Sequence, residues 1–168
     1  MEFPLATLPL GAGTLALCPL PADAPARTRL RRFAPSLVIS LTETDEMRSL
    51  GAADLPAWLA DHGIGWTHFP VPDYQTPPDD ADWPALSTRA RAILWSGGAV
   101  AVHCRGGCGR SGMIALRLMV DSGEAPEPAL ARLRQARPCA IETPAQAAWA
   151  SAPIFLSEIR TGGSQGGS

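Results

Sequence analysis

The residues best suited to chemistry in this sequence lie in one short segment, residues 103–112, which reads HCRGGCGRSG. Cys104 is separated by five residues from Arg110, and a hydroxyl side chain, Ser111, follows directly. The residues between the cysteine and the arginine are Arg105, Gly106, Gly107, Cys108 and Gly109. Glycine-rich backbone can curl so that successive N–H groups point to one place, and such a nest binds an anion. The segment therefore predicts a phosphate-binding loop.

Each side chain of the segment has a role that its chemistry suggests. Arg110 offers a planar fork of donors that matches two phosphate oxygens. A helix that begins near Ser111 would add its positive end to the same field. In that field we expect Cys104 to be a thiolate that attacks phosphorus and forms a cysteinyl-phosphate, with Ser111 hydrogen-bonded to the sulfur. We expect His103 to orient the loop through backbone hydrogen bonds.

The elements around the segment indicate how these residues are positioned. An apolar strand, residues 99–103, precedes the loop, and an apolar helix over residues 111–122 follows it. Further strands are predicted at 14–19, 36–41 and 65–71, and further helices at 43–50, 54–62, 82–96, 126–137 and 144–159. This alternation predicts an α/β fold with a central, mostly parallel sheet of four to five strands flanked by helices. Ligands of such folds bind beyond the carboxyl ends of the strands, where the loop lies.

The motif in this setting resembles the active-site signature of the protein-tyrosine phosphatase superfamily, which is His-Cys, five residues, Arg, then Ser or Thr. Its paired glycines and Arg-Ser-Gly look most like compact dual-specificity phosphatases, especially the cyclin-dependent-kinase-inhibitor-associated type. The resemblance covers the element order from about residue 36 to 149. It implies a hydrolase without metal or cofactor, in which Cys104 and Arg110 are catalytic and residues 105–110 bind the phosphate.

The predicted reaction needs a proton donor for the leaving oxygen. Asp73 begins a proline-rich loop after a predicted strand, upstream of Cys104, where the family also places its general-acid aspartate. The string Asp-x-x-Thr-Pro resembles the acid loop of compact phosphatases. We predict Asp73 as the acid. The alternatives are Asp79, Asp80 and Asp82, and any one of these carboxylates is equally explained as a turn residue or helix cap.

A second segment, residues 140–146, reads AIETPAQ. It resembles the family loop in which a glutamine positions the hydrolytic water, and Gln146 is the matching residue. A polar residue in the first turn of a helix would give the same pattern. Glu142 is a candidate for orienting Arg110.

Cysteine usage adds two further expectations. No signal-peptide pattern is present, so a disulfide framework is not expected. Cys108 could form a reversible disulfide with Cys104, or simply pack as a thiol within the loop. Cys18 and Cys139 are expected to be core or surface thiols. Zinc is the poorer alternative, because no second ligand pair follows at finger-like spacing.

These observations favour hydrolysis of phosphate monoesters, with phosphotyrosine or phosphoserine/threonine of proteins as the expected substrates. A phosphoinositide or inositol phosphate is the second possibility, although Arg105 supplies only one extra positive charge. A catalytically weak phosphate-binding module is less favoured, because such a protein would usually lack the cysteine or the arginine. Sulfur transfer of the rhodanese type is also less favoured, because it does not explain Arg110 followed by Ser111.

Length and composition set the remaining expectations. The 168 residues, nearly half of them apolar, predict one domain over residues 1–161 and a Gly/Ser-rich tail at 162–168. A net charge of −2 gives no nucleic-acid footprint, and no apolar stretch is long enough for a membrane span. We expect a cytoplasmic monomer acting on a phosphorylated protein or a small phosphate monoester. All fourteen basic residues are arginine, which is typical of a GC-rich, bacterial genome.

Overall fold

A five-stranded sheet forms the centre of residues 2–152, the part of the chain that this computed structural model describes. The strands are β1 (Ala6–Leu10), β2 (Gly13–Cys18), β3 (Leu37–Ser40), β4 (Gly65–His68) and β5 (Ala99–His103), in the order β1-β2-β5-β3-β4. All neighbouring pairs are parallel except β1 with β2, which form an antiparallel hairpin. The predicted α/β fold with a mostly parallel sheet is confirmed, and β5 is its central strand.

Seven helices flank the sheet within the described residues. They are α1 (Ala24–Phe33), α2 (Thr44–Ser49), α3 (Leu55–Asp61), α4 (Trp83–Trp95), α5 (Gly109–Asp121), α6 (Pro126–Ala136) and α7 (Pro144–Ser151). Helix α5 begins two residues before the predicted start at Ser111. The predicted end of the last helix at residue 159 and the predicted tail at residues 162–168 lie outside the described residues. None of the helices within residues 2–152 is long and apolar enough to cross a membrane.

Two elements, β1 and α1, were not predicted from the sequence. Strand β1 contains Pro9, which cannot donate to a sheet ladder but is tolerated because β1 is an edge strand. Helix α1 has an N-cap signal, since the carboxylate of Asp23 accepts from the N–H of Ala26 at 2.9 Å. It buries Ala26 and Leu30, four residues apart, against the sheet side of the molecule. Strand β1 extends the sheet at one edge, and α1 helps to cover one of its two faces.

Alternate residues of the central strand enter different apolar cores. Val100 and Val102 of β5 pack in one core with residues of helices α4 to α7, whereas Ala101 packs in the other with residues of α1, α2 and α3. This follows from the two-residue repeat of a strand that is covered on both faces. Because both faces are closed, the loop after β5 opens only at the carboxyl edge of the sheet.

Candidate active site

The loop between β5 and α5 carries the predicted phosphate-binding segment. Its backbone carbonyls and its backbone N–H groups differ in whether they form hydrogen bonds within the described part of the protein. Every carbonyl of residues 105–108 accepts a hydrogen bond from elsewhere in the protein. The donors are Leu20 N for Arg105 O, Arg137 for Gly106 O and Gly107 O, and Gly112 N and Ile141 N for Cys108 O. None of the N–H groups of residues 105–108 has an acceptor among the described residues. A loop whose carbonyls are all satisfied and whose amides are all free is suited to binding an anion.

The Arg110 guanidinium shows the same division between bonded and free groups. Its Nη1 donates to Glu46 Oε1 at 2.7 Å and to the Val71 carbonyl at 2.9 Å, and its Nη2 donates to Glu46 Oε2 at 2.9 Å. Its Nε is buried without a partner among the described residues. The edge formed by Nε and the second Nη2 hydrogen makes no hydrogen bond to the described residues, although Asp73 Oδ1 lies 3.4 Å from Nη2. This edge matches two oxygens of a phosphate.

Glu46 holds Arg110 in this orientation, which corrects the sequence-based proposal that Glu142 does so. Burial alone would lower the pKa of Arg110, but the hydrogen bonds and charge of Glu46 raise it above its usual range. Burial would likewise raise the pKa of Glu46, yet the hydrogen bonds from Arg110 and from the Glu43 amide lower it. Glu142 instead accepts from the Gly109 N–H at 2.8 Å, at the first turn of α5.

Cys104 is the first residue of the loop, and only 3% of its surface is exposed. It is a free cysteine, and it lies next to the residues whose backbone amides are unused. Within residues 2–152 the Ser111 hydroxyl is also buried without a hydrogen-bond partner, like Arg110 Nε and the Thr42 hydroxyl near the carboxyl end of β3. Buried polar groups are normally paired, so unpaired donors beside a free amide loop indicate a site that a ligand completes.

His103 is buried under the loop and belongs to a directional hydrogen-bond chain. Its Nδ1 is 3.2 Å from the Cys104 carbonyl, which can only accept, so Nδ1 carries the proton. Its Nε2 is 2.5 Å from the Ser40 hydroxyl, and that oxygen in turn accepts from the Trp66 indole at 2.8 Å. Burial lowers the pKa of His103 to about 4. A neutral His103 can therefore orient the loop through the Cys104 carbonyl.

Asp73 is the predicted acid that the fold brings to Arg110. Its Oδ1 lies 3.4 Å from Arg110 Nη2, and its side chain is 44% exposed. The same oxygen accepts from the N–H of Tyr74, whose backbone is left-handed at φ 63° and whose side chain is 61% exposed. Of the alternatives, Asp82 caps α4 through the Ala85 N–H, and Asp79 and Asp80 are exposed.

Gln146 connects the acid loop to the first turn of α7. Its side chain is fully buried; Oε1 accepts from the Glu142 N–H and Nε2 donates to the Gln75 carbonyl, both at 3.1 Å. Gln75 follows Asp73 by two residues, so Gln146 restrains the segment that carries the candidate acid. One amide hydrogen of Gln146 has no partner among the described residues and could contact a water molecule.

The cysteines differ from the expectation in one respect. Cys108 forms a disulfide with Cys139, with 5.1 Å between the Cα atoms, so it is neither a packing thiol nor a partner of Cys104. A disulfide at Cys139 was not predicted from the sequence either. Cys18 is a free core thiol, and burial raises its pKa to about 12. Within residues 2–152 no group of three or more His, Cys, Asp or Glu side chains comes together as a metal site would require.

Two residues of the site, Glu46 and Arg137, were not identified from the sequence. Glu46 lies in the first turn of α2, just after a strand next to β5, and forms a capping box with Glu43. Its position shortly after a predicted strand, and so at the carboxyl edge of the sheet, is the sequence feature that could have identified Glu46. Arg137 directly follows α6 and belongs to no local sequence motif. Together with these two residues, the site can bind a tetrahedral anion beside the Cys104 thiol. The Asp73 carboxylate lies on the solvent-exposed side of the site.

Comparison with known proteins identifies the family and the fold. A protein-family model described as "PTP-SAK: Swiss Army Knife protein, DSP-PTPase phosphatase domain" matches residues 26–150. Comparison with curated proteins gives no significant match.

Solved structures of phosphatases are similar over nearly the whole chain. Kinase associated phosphatase (KAP), with a serine in place of its catalytic-site cysteine, has a TM-score of 0.82 and 20% identity, covering 95% of this chain and 97% of that chain. Tk-PTP in the active form has a TM-score of 0.67 and 27% identity, covering 88% and 91%. PTPMT1 in complex with PI(5)P has a TM-score of 0.69 and 20% identity, covering 94% and 99%. Since the family model spans most of the sequence, the chain belongs to the DSP-PTPase phosphatase domains, as a compact dual-specificity-like member of the protein-tyrosine phosphatase superfamily.

Proposed function

We propose that this chain hydrolyses phosphate monoesters of proteins through a covalent cysteinyl-phosphate on Cys104. Membership of a phosphatase family is consistent with phosphate ester hydrolysis. The observation that carries the proposal is a set of donors, in and next to the loop that begins at Cys104, that have no partner among the described residues. These donors are the amides of residues 105–108, the Nε edge of Arg110 and the Ser111 hydroxyl. They can bind a phosphate dianion and stabilise the charge that spreads over its oxygens in the transition state.

In the first step the Cys104 thiolate attacks phosphorus, forming the S–P bond as the bond to the leaving oxygen breaks. Asp73, as the protonated acid, gives its proton to that oxygen so that a neutral alcohol or phenol leaves. Arg110 can bind two of the phosphoryl oxygens through its free edge, because Glu46 and Val71 occupy its other donors. Its pairing with Glu46 keeps this edge oriented before the substrate arrives.

In the second step water attacks the cysteinyl-phosphate, and the S–P bond breaks to release inorganic phosphate. The Asp73 carboxylate accepts a proton from the water, which restores the acid for the next turnover. The unpaired Ser111 hydroxyl can donate to the departing thiolate. Gln146 has one amide hydrogen without a partner in the described part of the chain and contacts the segment that carries Asp73, which supports a role in positioning this water.

The charges around the loop favour a protein monoester over a highly charged inositol phosphate. Arg105 is exposed and its guanidinium has no hydrogen-bond or ion-pair partner among the described residues, whereas the guanidinium groups of Arg110 and Arg137 are already bonded to protein groups. One free cation beside the loop suits a single phosphate better than several. Tyr74, exposed beside Asp73, offers an apolar surface to a peptide side chain. We further propose that this protein is a cytoplasmic monomer and that its substrate is a phosphorylated protein.

The test is hydrolysis of p-nitrophenyl phosphate with EDTA present, comparing the wild type with Cys104→Ser. The serine variant should lose turnover and still bind phosphate, because the amides and Arg110 are unchanged. Wild-type turnover by the variant would exclude the cysteinyl-phosphate. Matched phosphotyrosine and phosphothreonine peptides and phosphoinositides then rank the substrates. Activity only on phosphoinositides would overturn the protein assignment, and binding without turnover would indicate a phosphate-binding module.

A further inference from the structure

A short segment between α6 and α7, residues 137–141, contacts the outer side of the phosphate loop at several points. Arg137 donates from Nη2 to the Gly106 carbonyl at 2.9 Å and from Nε to the Gly107 carbonyl at 3.0 Å. The Ile141 N–H donates to the Cys108 carbonyl at 3.3 Å. The Cys108–Cys139 disulfide joins the same two pieces of chain. We refer to residues 137–141 as the clamp.

The clamp matters because the rest of the protein holds the residues that it contacts to different degrees. Gly107 has a positive φ of 73°, which glycine tolerates, and packs closely against the backbone of Cys18 and Pro19. Gly106 is less restrained, since a Cβ there would meet nothing within 4 Å and no packing holds that residue on its side-chain side. If the peptide group between Gly106 and Gly107 turned over, its carbonyl rather than its N–H would face the phosphate. Arg137 opposes this, since its two bonds require both carbonyls to face outward.

The disulfide adds a covalent restraint that chemistry can remove. Cys139 is exposed at the surface and Cys108 is partly exposed, so a small thiol can reach the bridge. Reduction leaves the hydrogen bonds of the clamp in place but frees Cys108 from its fixed position beside Cys139. In a reducing compartment such as the cytosol, disulfides are usually transient and redox-sensing or catalytic. The bridge is therefore a restraint on the loop that depends on redox conditions.

We propose that the clamp sets the phosphate affinity of the loop, and that the Cys108–Cys139 disulfide makes this affinity redox-sensitive, with the oxidised protein binding phosphate more tightly. The inference rests on the proposed function only in that the loop binds phosphate. Arg137 is a positioning residue in this scheme, because it contacts the loop carbonyls on the side away from the anion. Cys104 is neither oxidised nor reduced in this exchange, so the switch differs from oxidation of the nucleophile.

The switching step is a two-electron thiol–disulfide exchange. A dithiol reductant attacks one sulfur of the bridge, forms a mixed disulfide, and then closes on itself as it releases the second cysteine thiol. The protein gains two thiols, at Cys108 and Cys139, and the reductant becomes a cyclic disulfide. Oxidation reverses the exchange.

The experiment measures binding of inorganic phosphate to the full chain by calorimetry, in a Cys104→Ser background that removes the reactive thiol. Protein reduced with dithiothreitol and then freed of it without air is compared with the oxidised protein. We expect reduction to weaken phosphate binding by about 3- to 10-fold, up to the worth of one charge-assisted hydrogen bond. Adding Cys139→Ser should weaken binding equally and abolish the effect of the reductant, with the loop sequence unchanged.

Arg137→Gln tests the non-covalent part of the clamp and should weaken phosphate binding by about 10-fold. Arg132→Gln is the matched control. Arg132 lies on α6, bonds Glu124 and the Pro9 carbonyl, and does not contact the loop. Thermal unfolding of each variant, followed in parallel, ensures that affinity is measured on folded protein. A merely structural role would lower the melting temperature and leave the phosphate affinity of the folded protein unchanged.

The outcomes separate this inference from the proposed function. Equal phosphate affinity of the oxidised protein, the reduced protein and the Cys139→Ser variant would overturn the redox sensitivity. Wild-type affinity in Arg137→Gln would overturn the positioning role. Absence of phosphate binding in every form, including oxidised Cys104→Ser, would instead refute the phosphate loop and with it the proposed function.

Discussion

The most informative single change is Glu46→Gln, because it keeps the side-chain volume but removes the charge that orients Arg110. Glu46 makes two charge-assisted hydrogen bonds to a guanidinium that is 1% exposed, while its own side chain is 22% exposed. Removing one partner of a buried ion pair costs about 3–5 kcal/mol. Since Glu46 is partly solvated and Val71 keeps one donor bonded, we expect the free energy of unfolding to fall by about 2–3 kcal/mol.

The same change should impair catalysis through the position of Arg110. The glutamine amide would face one of the guanidinium N–H groups, so the bidentate pair cannot form. Arg110 can then move toward Asp73, which is already 3.4 Å away, and its Nε edge turns from the phosphate. Loss of one oriented contact to a charged group is worth about 1.5–3 kcal/mol. This corresponds to roughly 10- to 150-fold in kcat/KM for p-nitrophenyl phosphate.

The assay combines urea unfolding, kcat/KM and phosphate inhibition for the wild type, Glu46→Gln and Asp45→Asn. Asp45 is the matched control on the same helix, since its side chain is 92% exposed and its ion-pair partner within residues 2–152 is the exposed Arg48. It should change stability by less than about 1 kcal/mol. A Glu46→Gln protein with wild-type stability and wild-type phosphate inhibition would refute the argument, and would mean that the loop alone orients Arg110.

The pH dependence of stability gives an independent check on the Glu46 pair. Hydrogen bonds from Arg110 lower the pKa of Glu46 in the folded protein despite its burial. Its contribution is therefore complete above the ordinary pKa of 4.5 and is lost as the pH falls through the folded pKa. The difference in unfolding free energy between wild type and Glu46→Gln should shrink over that acid range. A difference that is constant with pH would contradict the assignment.

Two further predictions concern the acid and the buried histidine. Asp73→Asn should lower the rate by roughly 10²–10⁴ and flatten the basic limb of the pH–rate profile, whereas Asp80→Asn should change neither; the reverse result would transfer the acid role to Asp80. Burial lowers the pKa of His103 to about 4 from 6.5, so protonation of the unfolded chain should cost the wild type about 3 kcal/mol of stability as the pH falls across this range. His103→Gln should lack that slope and His62→Gln, at an exposed position, should keep it; equal slopes in all three proteins would show that His103 does not remain neutral in the fold.

The strand–loop–helix unit that carries Cys104 and Arg110, and the alternation of strands and helices, could be predicted because their signals are local. The spacing of Cys104 and Arg110, the glycines between them, and the apolar runs on either side are contiguous in the chain. Four of the five strands were predicted for the same reason. Strand β1 was missed because Pro9 argues against a strand unless its edge position is known. Asp73 could be placed in order along the chain, but only the fold shows its 3.4 Å approach to Arg110.

The partners that orient the loop were decided by tertiary structure alone. Glu46 and Arg110 are 64 residues apart, and the nearer carboxylate in a suggestive motif, Glu142, was the wrong choice. Cys108 and Cys139 are 31 residues apart and share no spacing rule. A contiguous motif specifies which donors a site has, because backbone curvature and residue type act over a few positions. Where those donors point depends on the groups that satisfy the rest of the loop, and folding brings those groups from distant parts of the chain.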